Sequence, residues 1–191
     1  ENDSDNSKIE FYPHNRLELE VTIDYESNVL KPQKAILKNL TTFKEEIASA
    51  RTFCFLHELH HLISKNLIKG GDLDNSVVFI ENDTIINELG KISHLYKKDK
   101  KILKKGVLHN KEMILNNEQA KHKLIDLIGD ISLAGFDIKG KIIAHKPGHK
   151  INTMFAKKLR EEIIKNMNLM KGNPLMNQED IKKILPHRDP F

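Results

Sequence analysis

One segment, residues 118–134, restricts the fold of this chain more than any other. On a helical wheel of about 100° per residue, His122, Asp126 and Asp130 lie within about 80° of one another. The apolar side chains gather on the opposite side, at Leu124, Leu127, Ile128 and Ile131. A helix of this kind packs its apolar side against a core. The sequence therefore predicts a helix, capped by Asn117, that buries one face and presents a His-Asp-Asp stripe on the other.

Other segments supply elements against which this helix can pack. Residues 17–25 alternate apolar and polar side chains, which is the pattern of a half-buried strand. Residues 51–80 are predicted to form a strand, a helix, a Gly-Gly turn and a second strand. A further strand is predicted at 139–145 and an amphipathic helix at 151–167, whereas residues 1–8 are polar and are expected to be frayed.

The composition is that of one folded domain, because 39% of the 191 residues are hydrophobic and 30% are charged. The single cysteine, Cys54, excludes an internal disulfide and favours a reducing, cytoplasmic location.

We expect no membrane span, since three aspartates interrupt the most apolar stretch, residues 124–138. The formal net charge of +4 is compatible with an anionic ligand such as a nucleotide sugar.

Four short motifs occur in a fixed order along the chain. They are Arg-Thr-Phe-Cys-Phe-Leu at 51–56, Lys-Gly-Gly-Asp-Leu-Asp-Asn at 69–75, His-Lys-x-x-Asp-x-x-Gly-Asp at 122–130 and Pro-Gly-His-x-x-Asn at 147–152. Each motif alone is weak, because a His and an Asp four residues apart usually form a polar helix surface. Together, over roughly residues 9–166, they resemble the zinc-dependent UDP-3-O-acyl-N-acetylglucosamine deacetylases.

This resemblance implies an α+β fold, in which residues 1–168 form a two-layer sandwich of a sheet on helices. It corresponds to the second domain of the deacetylase fold and carries a βαβ insert at about 51–80. The family's active site lies between two such domains. The first domain, outside this chain, is therefore expected to supply one zinc-binding histidine and the glutamate that activates the attacking water.

The resemblance also assigns chemical roles. His122 and Asp126 match two of the three protein ligands of Zn²⁺, which leaves a position open for water. The hydroxyl of Thr52 is expected to stabilise the oxyanion. His149 is expected to protonate the leaving amine, and Asp130 to hold the imidazolium ring.

The expected substrate is UDP-3-O-(3-hydroxyacyl)-N-acetylglucosamine. Lys123 is expected to face its diphosphate, and Phe53 to line the sugar-nucleotide side. A passage for the acyl chain is expected to be lined by Leu56, Leu59, Gly71, Ser76 and Val78. Two departures from the family affect this passage: a charged Asp72 and the hydroxyl of Ser76. A third departure, Leu-Asn-Asn-Glu at 115–118, leads us to expect less salt bridging before His122.

A second constellation favours a different class of enzyme. The sequence His57-Glu58-Leu59-His60-His61 is an HExxH motif, and Glu81 follows where a third ligand could lie. This alternative is a zinc metalloprotease centred on His57, Glu58 and His61. We favour the deacetylase, because the apolar residues of this helix would bury the side opposite to His57 and His61.

The lysine-rich run at 96–105 raises a third class, the nucleic-acid-binding module. No aromatic platform or zinc-knuckle spacing accompanies the lysines. No nucleic-acid partner is therefore expected.

The end of the chain carries a separate signal. Residues 169–177 are predicted to be a linker, and residues 178–191 a short helix followed by Leu-Pro-His-Arg-Asp-Pro-Phe. This segment resembles the opening of the 3-hydroxyacyl-ACP dehydratases, whose catalytic residues lie further along that family's chain. The resemblance implies a bifunctional deacetylase and dehydratase, with acyl carrier protein as the partner of the dehydratase.

Overall fold

The structure is a computed structural model that describes residues 6–58, 61, 65, 75–81, 106–108 and 111–171. Its strands are β1 (Lys8–Tyr12), β2 (Leu17–Ile23), β3 (Gln33–Leu37), β4 (Thr52–Phe55), β5 (Ser76–Ile80), β6 (Gly106–Val107) and β7 (Gly140–His145). Its helices are a 3₁₀ turn at Leu40–Thr42, α1 (Phe43–Glu46), α2 (Glu118–Ser132) and α3 (His149–Lys171).

The larger sheet has four strands in the order β1-β7-β2-β3. β7 runs parallel to β2, and the two outer pairs, β1 with β7 and β2 with β3, are antiparallel. Alternate residues of the strands point to one face, where they bury their apolar side chains against α2. The shared core consists of Leu19, Val21, Ile23, Ala35, Leu37, Ile142 and Ala144 from the sheet and Ala120, Leu124, Leu127 and Ile131 from α2. This arrangement confirms the α+β fold class.

The smaller sheet has three strands in the order β4-β5-β6. β4 and β5 are parallel, with Thr52 opposite Ser76. A helix begins directly after β4, at residues 56–58. The sheet has its own small core of Leu30, Phe55, Val77 and Phe79.

The structure corrects two local predictions and contains strands that were not predicted. Residues 7 and 8 are not frayed: Ser7 is buried and donates to the carbonyl of Lys146, and β1 starts at Lys8. Strands β1 and β3 were not predicted. Asn117 does not cap α2, because its side chain donates to the carbonyl of Lys34, at 3.1 Å.

The start of α2 is held by a strand residue instead. The side-chain oxygen of Gln33, at the start of β3, accepts from the backbone N–H of Ala120 at 3.2 Å. The amide nitrogen of Gln33 donates to Gln119 at 2.9 Å. A free N–H at the start of the helix is thus satisfied from the neighbouring sheet, which fixes α2 on β3.

Several predicted features lie outside the described residues. They are Leu59 and Gly71 of the proposed acyl passage, the whole lysine-rich run at 96–105, the part of the predicted linker beyond residue 171 and the segment 178–191. Residues 169–171 of the predicted linker instead belong to α3. Within the described ranges, no helix combines the length and apolar character needed to cross a membrane.

Among the glycines of the described residues, Gly140 has the least room for a side chain. A Cβ at this site would overlap the ring of Phe11 on the neighbouring strand and lie 3.1 Å from the carbonyl oxygen of Tyr12. We predict that Gly140→Ala lowers the free energy of unfolding by about 1–3 kcal/mol, the range for overpacking, measured by urea denaturation.

Gly129 provides the matched control, since a Cβ on this exposed residue of α2 would meet no atom within 4 Å. Gly129→Ala is expected to raise the free energy of unfolding by about 0.5–1 kcal/mol, because alanine is favoured over glycine inside a helix. Equal effects of the two substitutions would contradict the close packing at Gly140.

Candidate functional site

The segment that leads into β4 lies along the first half of α2. The carbonyl oxygen of Ala50 is 3.2 Å from Nδ1 of His122. A carbonyl can only accept, so Nδ1 of His122 carries a proton, and in the neutral ring the lone pair is on Nε2. Phe53 reaches the same imidazole, with 6.5 Å between ring centroids in an edge-on arrangement.

A buried ion pair fixes this segment to α2. The side chain of Glu118 is fully buried, and that of Arg51 is 10% exposed. Glu118 accepts from the backbone N–H and from Nε of Arg51 through one carboxylate oxygen, at 3.0 and 2.7 Å. Its other oxygen accepts from the guanidinium at 3.0 Å and from the backbone N–H of Ile114 at 2.8 Å.

The expectation of weak salt bridging before His122 is therefore wrong. Burial by itself would raise the pKa of the Glu118 carboxyl, but the hydrogen bonds from Arg51 and Ile114 outweigh burial and hold this pKa below its usual value. The same hydrogen bonding to Glu118 raises the pKa of Arg51. Both groups are charged at neutral pH, and they tie β4, the loop before α2 and α2 itself together.

Two potential metal ligands face each other on α2. Nε2 of His122 lies 3.5 Å from Oδ1 of Asp126, one helical turn later. Two ligands at about 2.0–2.2 Å from a tetrahedral zinc ion are about 3.3–3.6 Å apart. The tautomer of His122, with Nδ1–H donated to a backbone carbonyl, is also the usual state of a metal-binding histidine. The pair therefore fits two positions of a zinc site.

Lys123 lies beside this pair. Its ammonium donates to Oδ2 of Asp126 at 2.8 Å and stands 5.7 Å from the centre of the Phe53 ring. The two oxygens of Asp126 therefore serve different neighbours, one facing the histidine and the other the lysine. The ammonium is placed next to the ligand pair rather than extended into solvent.

The second half of α2 contacts the start of α3. Oδ2 of Asp130 accepts from Nδ1 of His149 and from the side-chain amide of Asn152, each at 2.9 Å. The carboxylate of Asp130 is 14% exposed, whereas the imidazole of His149 is 71% exposed. Since the carboxylate accepts, Nδ1 of His149 carries a proton and its Nε2 is the free atom of the ring.

The described residues supply only part of a metal centre. In the part of the chain that the structure describes, no three His, Cys, Asp or Glu side chains come together as a metal-binding group. Burial raises the pKa of the Cys54 thiol to about 11, so this cysteine is protonated and poorly suited to bind a metal.

The geometry does not favour the protease alternative. The carboxylate of Glu58 accepts a hydrogen bond from the backbone N–H of Phe55 at 2.8 Å. This local contact engages the glutamate that would act as general base in a protease. His57 stacks on the ring of Phe55, with its Nδ1 3.5 Å from Glu81. His60 lies outside the described residues.

The smaller sheet holds the described residues of the expected acyl passage. Leu56 and Val78 are buried at 3% exposure each, and Ser76 is half-buried. Their proposed role in binding an acyl chain stays a prediction, as does that of Thr52, which is exposed at the first position of β4.

A family model described as LpxC, UDP-3-O-acyl N-acetylglycosamine deacetylase, matches residues 1–94 and 97–161. The chain belongs to this deacetylase family. Its relatives include the bifunctional enzyme LpxC/FabZ of Porphyromonas gingivalis, which is 42% identical over 97% of the chain. A protein of the same name from Bacteroides thetaiotaomicron is 38% identical over 99% of the chain.

Single-function relatives match less of the chain. The UDP-3-O-acyl-N-acetylglucosamine deacetylase of Syntrophus aciditrophicus is 36% identical over 78% of the chain. The chain spans 42%, 42% and 41% of the lengths of these three relatives, respectively. It therefore corresponds to less than half of a deacetylase-family protein of this size.

We predict that Glu118→Gln lowers the free energy of unfolding by about 3–5 kcal/mol at pH 7, because it leaves the buried Arg51 without its counter-charge. The pKa of Glu118 is lower in the folded protein than its value of about 4.3 in the unfolded chain. The ion pair therefore stabilises the protein at pH values above about 4.3, and this stabilisation is lost as the pH falls through the pKa of the folded state. Urea denaturation between pH 7 and pH 3 should show a flatter acid limb for the variant.

The exposed pair of Glu162 and Lys165, 3.9 Å apart on α3, provides the control. Glu162→Gln should change the free energy of unfolding by less than about 1 kcal/mol. A similar loss from both substitutions would show that the Arg51–Glu118 pair has no special structural role.

Proposed function

We propose that the complete protein hydrolyses the acetamide of UDP-3-O-(3-hydroxyacyl)-N-acetylglucosamine, which gives a free amine and acetate, in lipid A biosynthesis. The observation that carries this proposal is the arrangement on α2. There His122 and Asp126 face each other as two ligands, and Asp130 holds His149 one turn later. A metal-ligand pair beside a histidine with a free ring nitrogen suits the hydrolysis of an amide.

We assign to His122 and Asp126 two of the protein ligands of a zinc ion. When bound, zinc supplies a Lewis acid that polarises the carbonyl and makes a neighbouring water easier to deprotonate. The carbonyl of Ala50 holds the proton of His122 on Nδ1, so that in the neutral ring Nε2 is the nitrogen able to bind a metal. The third ligand, a histidine, and the glutamate base belong to the first domain of the complete protein in this proposal.

His149 is assigned as the general acid. Its Nδ1–H is held by Asp130, so the proton that it can deliver to the leaving amine is the one on Nε2 of the imidazolium. Because the ring is 71% exposed, a substrate can reach Nε2 without displacement of any part of the described chain.

Other residues are assigned to substrate binding and charge stabilisation. The hydroxyl of Thr52 donates to the developing oxyanion, Lys123 binds the diphosphate and Phe53 lines the nucleotide side. The positions of Lys123 and Phe53 beside His122 support these roles. Leu56, Ser76 and Val78, with Leu59 and Gly71, are assigned to the acyl passage.

We also propose that the chain is part of a fused deacetylase and 3-hydroxyacyl-ACP dehydratase. The bifunctional relatives match 97% and 99% of the chain, whereas the single-function relative from Syntrophus matches 78%. The family model ends at residue 161. The Leu-Pro-His-Arg-Asp-Pro-Phe sequence at 185–191 supports a second enzyme unit, which would use acyl carrier protein.

The metal assignment is tested with two histidine variants of the complete protein. His122→Ala removes a ligand, so bound zinc measured by atomic absorption should fall well below one equivalent. His61→Ala, which alters the HExxH motif, should retain zinc at the wild-type level. Loss of zinc from His61→Ala with retention in His122→Ala would support the protease instead.

The acid assignment is tested by His149→Ala in the complete protein. The rate of deacetylation should fall by about 10²–10⁴-fold, the range for loss of a positioned acid, while bound zinc is unchanged. Asp130→Asn should also lower the rate, because it removes the carboxylate that accepts from Nδ1–H of His149 and orients the ring. A near-wild-type rate in folded, zinc-loaded His149→Ala would overturn the assignment.

A further inference from the structure

Asn152, on the first turns of α3, is buried in an unusual way. Its side chain has no exposed surface, and its amide nitrogen donates to Oδ2 of Asp130 at 2.9 Å. Its amide oxygen, Oδ1, is buried without a hydrogen-bond partner. No other buried side-chain nitrogen or oxygen in the described residues lacks a partner. The opposite orientation of the amide would place its oxygen against the carboxylate, so the donor must face Asp130.

This arrangement is costly for folding. A buried acceptor without a partner destabilises a protein by about 1–3 kcal/mol. A leucine has nearly the same shape as asparagine and would fill the space without this cost. What the asparagine provides, and leucine cannot, is one hydrogen-bond donor directed at Asp130.

The donor acts on the oxygen that holds His149. A carboxylate rotates readily about its terminal torsion, so Asp130 alone does not fix the position of Oδ2. Asn152 and His149 lie three residues apart on α3, on one side of the helix, and both donate to this single oxygen on α2. The imidazole of His149 is 71% exposed, so its orientation depends mainly on Asp130.

We propose that Asn152 is a positioning residue for the general acid: it fixes Oδ2 of Asp130, which in turn orients Nε2 of His149 toward the leaving amine. This inference rests on the proposed deacetylase function and deepens it. The alternative is a purely structural role, in which Asn152 joins α2 to α3 and affects activity only through stability.

The test compares Asn152→Leu with the wild type in the complete, zinc-loaded protein. We expect kcat to fall by about 10–100-fold, the range for residues that orient a site through another side chain. KM for the UDP-linked substrate should change by less than about twofold, since Asn152 has no assigned contact with the substrate, and Tm should be unchanged or higher. Asn152→Ala, which leaves a cavity, should lower Tm and yet reduce kcat by the same factor.

A double-mutant cycle separates positioning from a structural effect. In a His149→Ala background, adding Asn152→Leu should change the remaining rate by less than about twofold, because the group that Asn152 positions is gone. The buried amide of Gln119, at the other end of α2, gives the control. Gln119→Leu should leave kcat per folded protein at the wild-type level, whatever it does to Tm.

Three outcomes overturn the inference. They are an unchanged kcat in Asn152→Leu, an equal loss of rate with and without His149, and a loss of rate that disappears after correction for the folded fraction. If His149→Ala proves slow while Asn152→Leu is fast, only the positioning role fails. If His149→Ala is as fast as the wild type, the assignment of the general acid fails and the positioning role fails with it.

Discussion

The buried ion pair between Arg51 and Glu118 is the contact on which the rest of the site depends. Burying two charged side chains destabilises a fold unless their oxygens and N–H groups find hydrogen-bond partners. Here each carboxylate oxygen of Glu118 accepts two hydrogen bonds. The pair joins the residue just before β4 to the first residue of α2. It therefore places the carbonyl of Ala50 and the ring of Phe53 against His122, which sets the tautomer of the histidine.

α2 organises two chemically different groups along one face. Its first half presents His122 with Asp126, and its second half presents Asp130 to α3. The opposite face is buried against the four-stranded sheet through Leu124, Leu127 and Ile131. Because both groups share one rigid helix, their separation is fixed by helix geometry rather than by loops.

Periodicity along single segments was enough to predict α2, β2 and β7, since each has a clear apolar face that repeats every 3.6 or 2 residues. β1 and β3 escaped prediction because they are five-residue outer strands, and pairing with distant residues determines them. The same reason applies to Gln33, which holds the start of α2 from 87 residues away. The pairing of Asp130 with His149 was predicted from the family resemblance. The contact of Asn152 with Asp130 and the pairing of Arg51 with Glu118 join distant parts of the chain, and no local sequence pattern indicates them.

The contact between Lys123 and Asp126 affects how a cation would bind beside His122. The carboxylate of Asp126 is only 14% exposed, and its Oδ2 pairs with the ammonium of Lys123 at 2.8 Å. The lysine is thus a counter-ion supplied by the same helix. The oxygen that faces His122 is Oδ1, whereas the oxygen that accepts from Lys123 is Oδ2. A cation held between His122 and Oδ1 would therefore leave the bond to Lys123 in place, and the ammonium would hold the carboxylate from its other side.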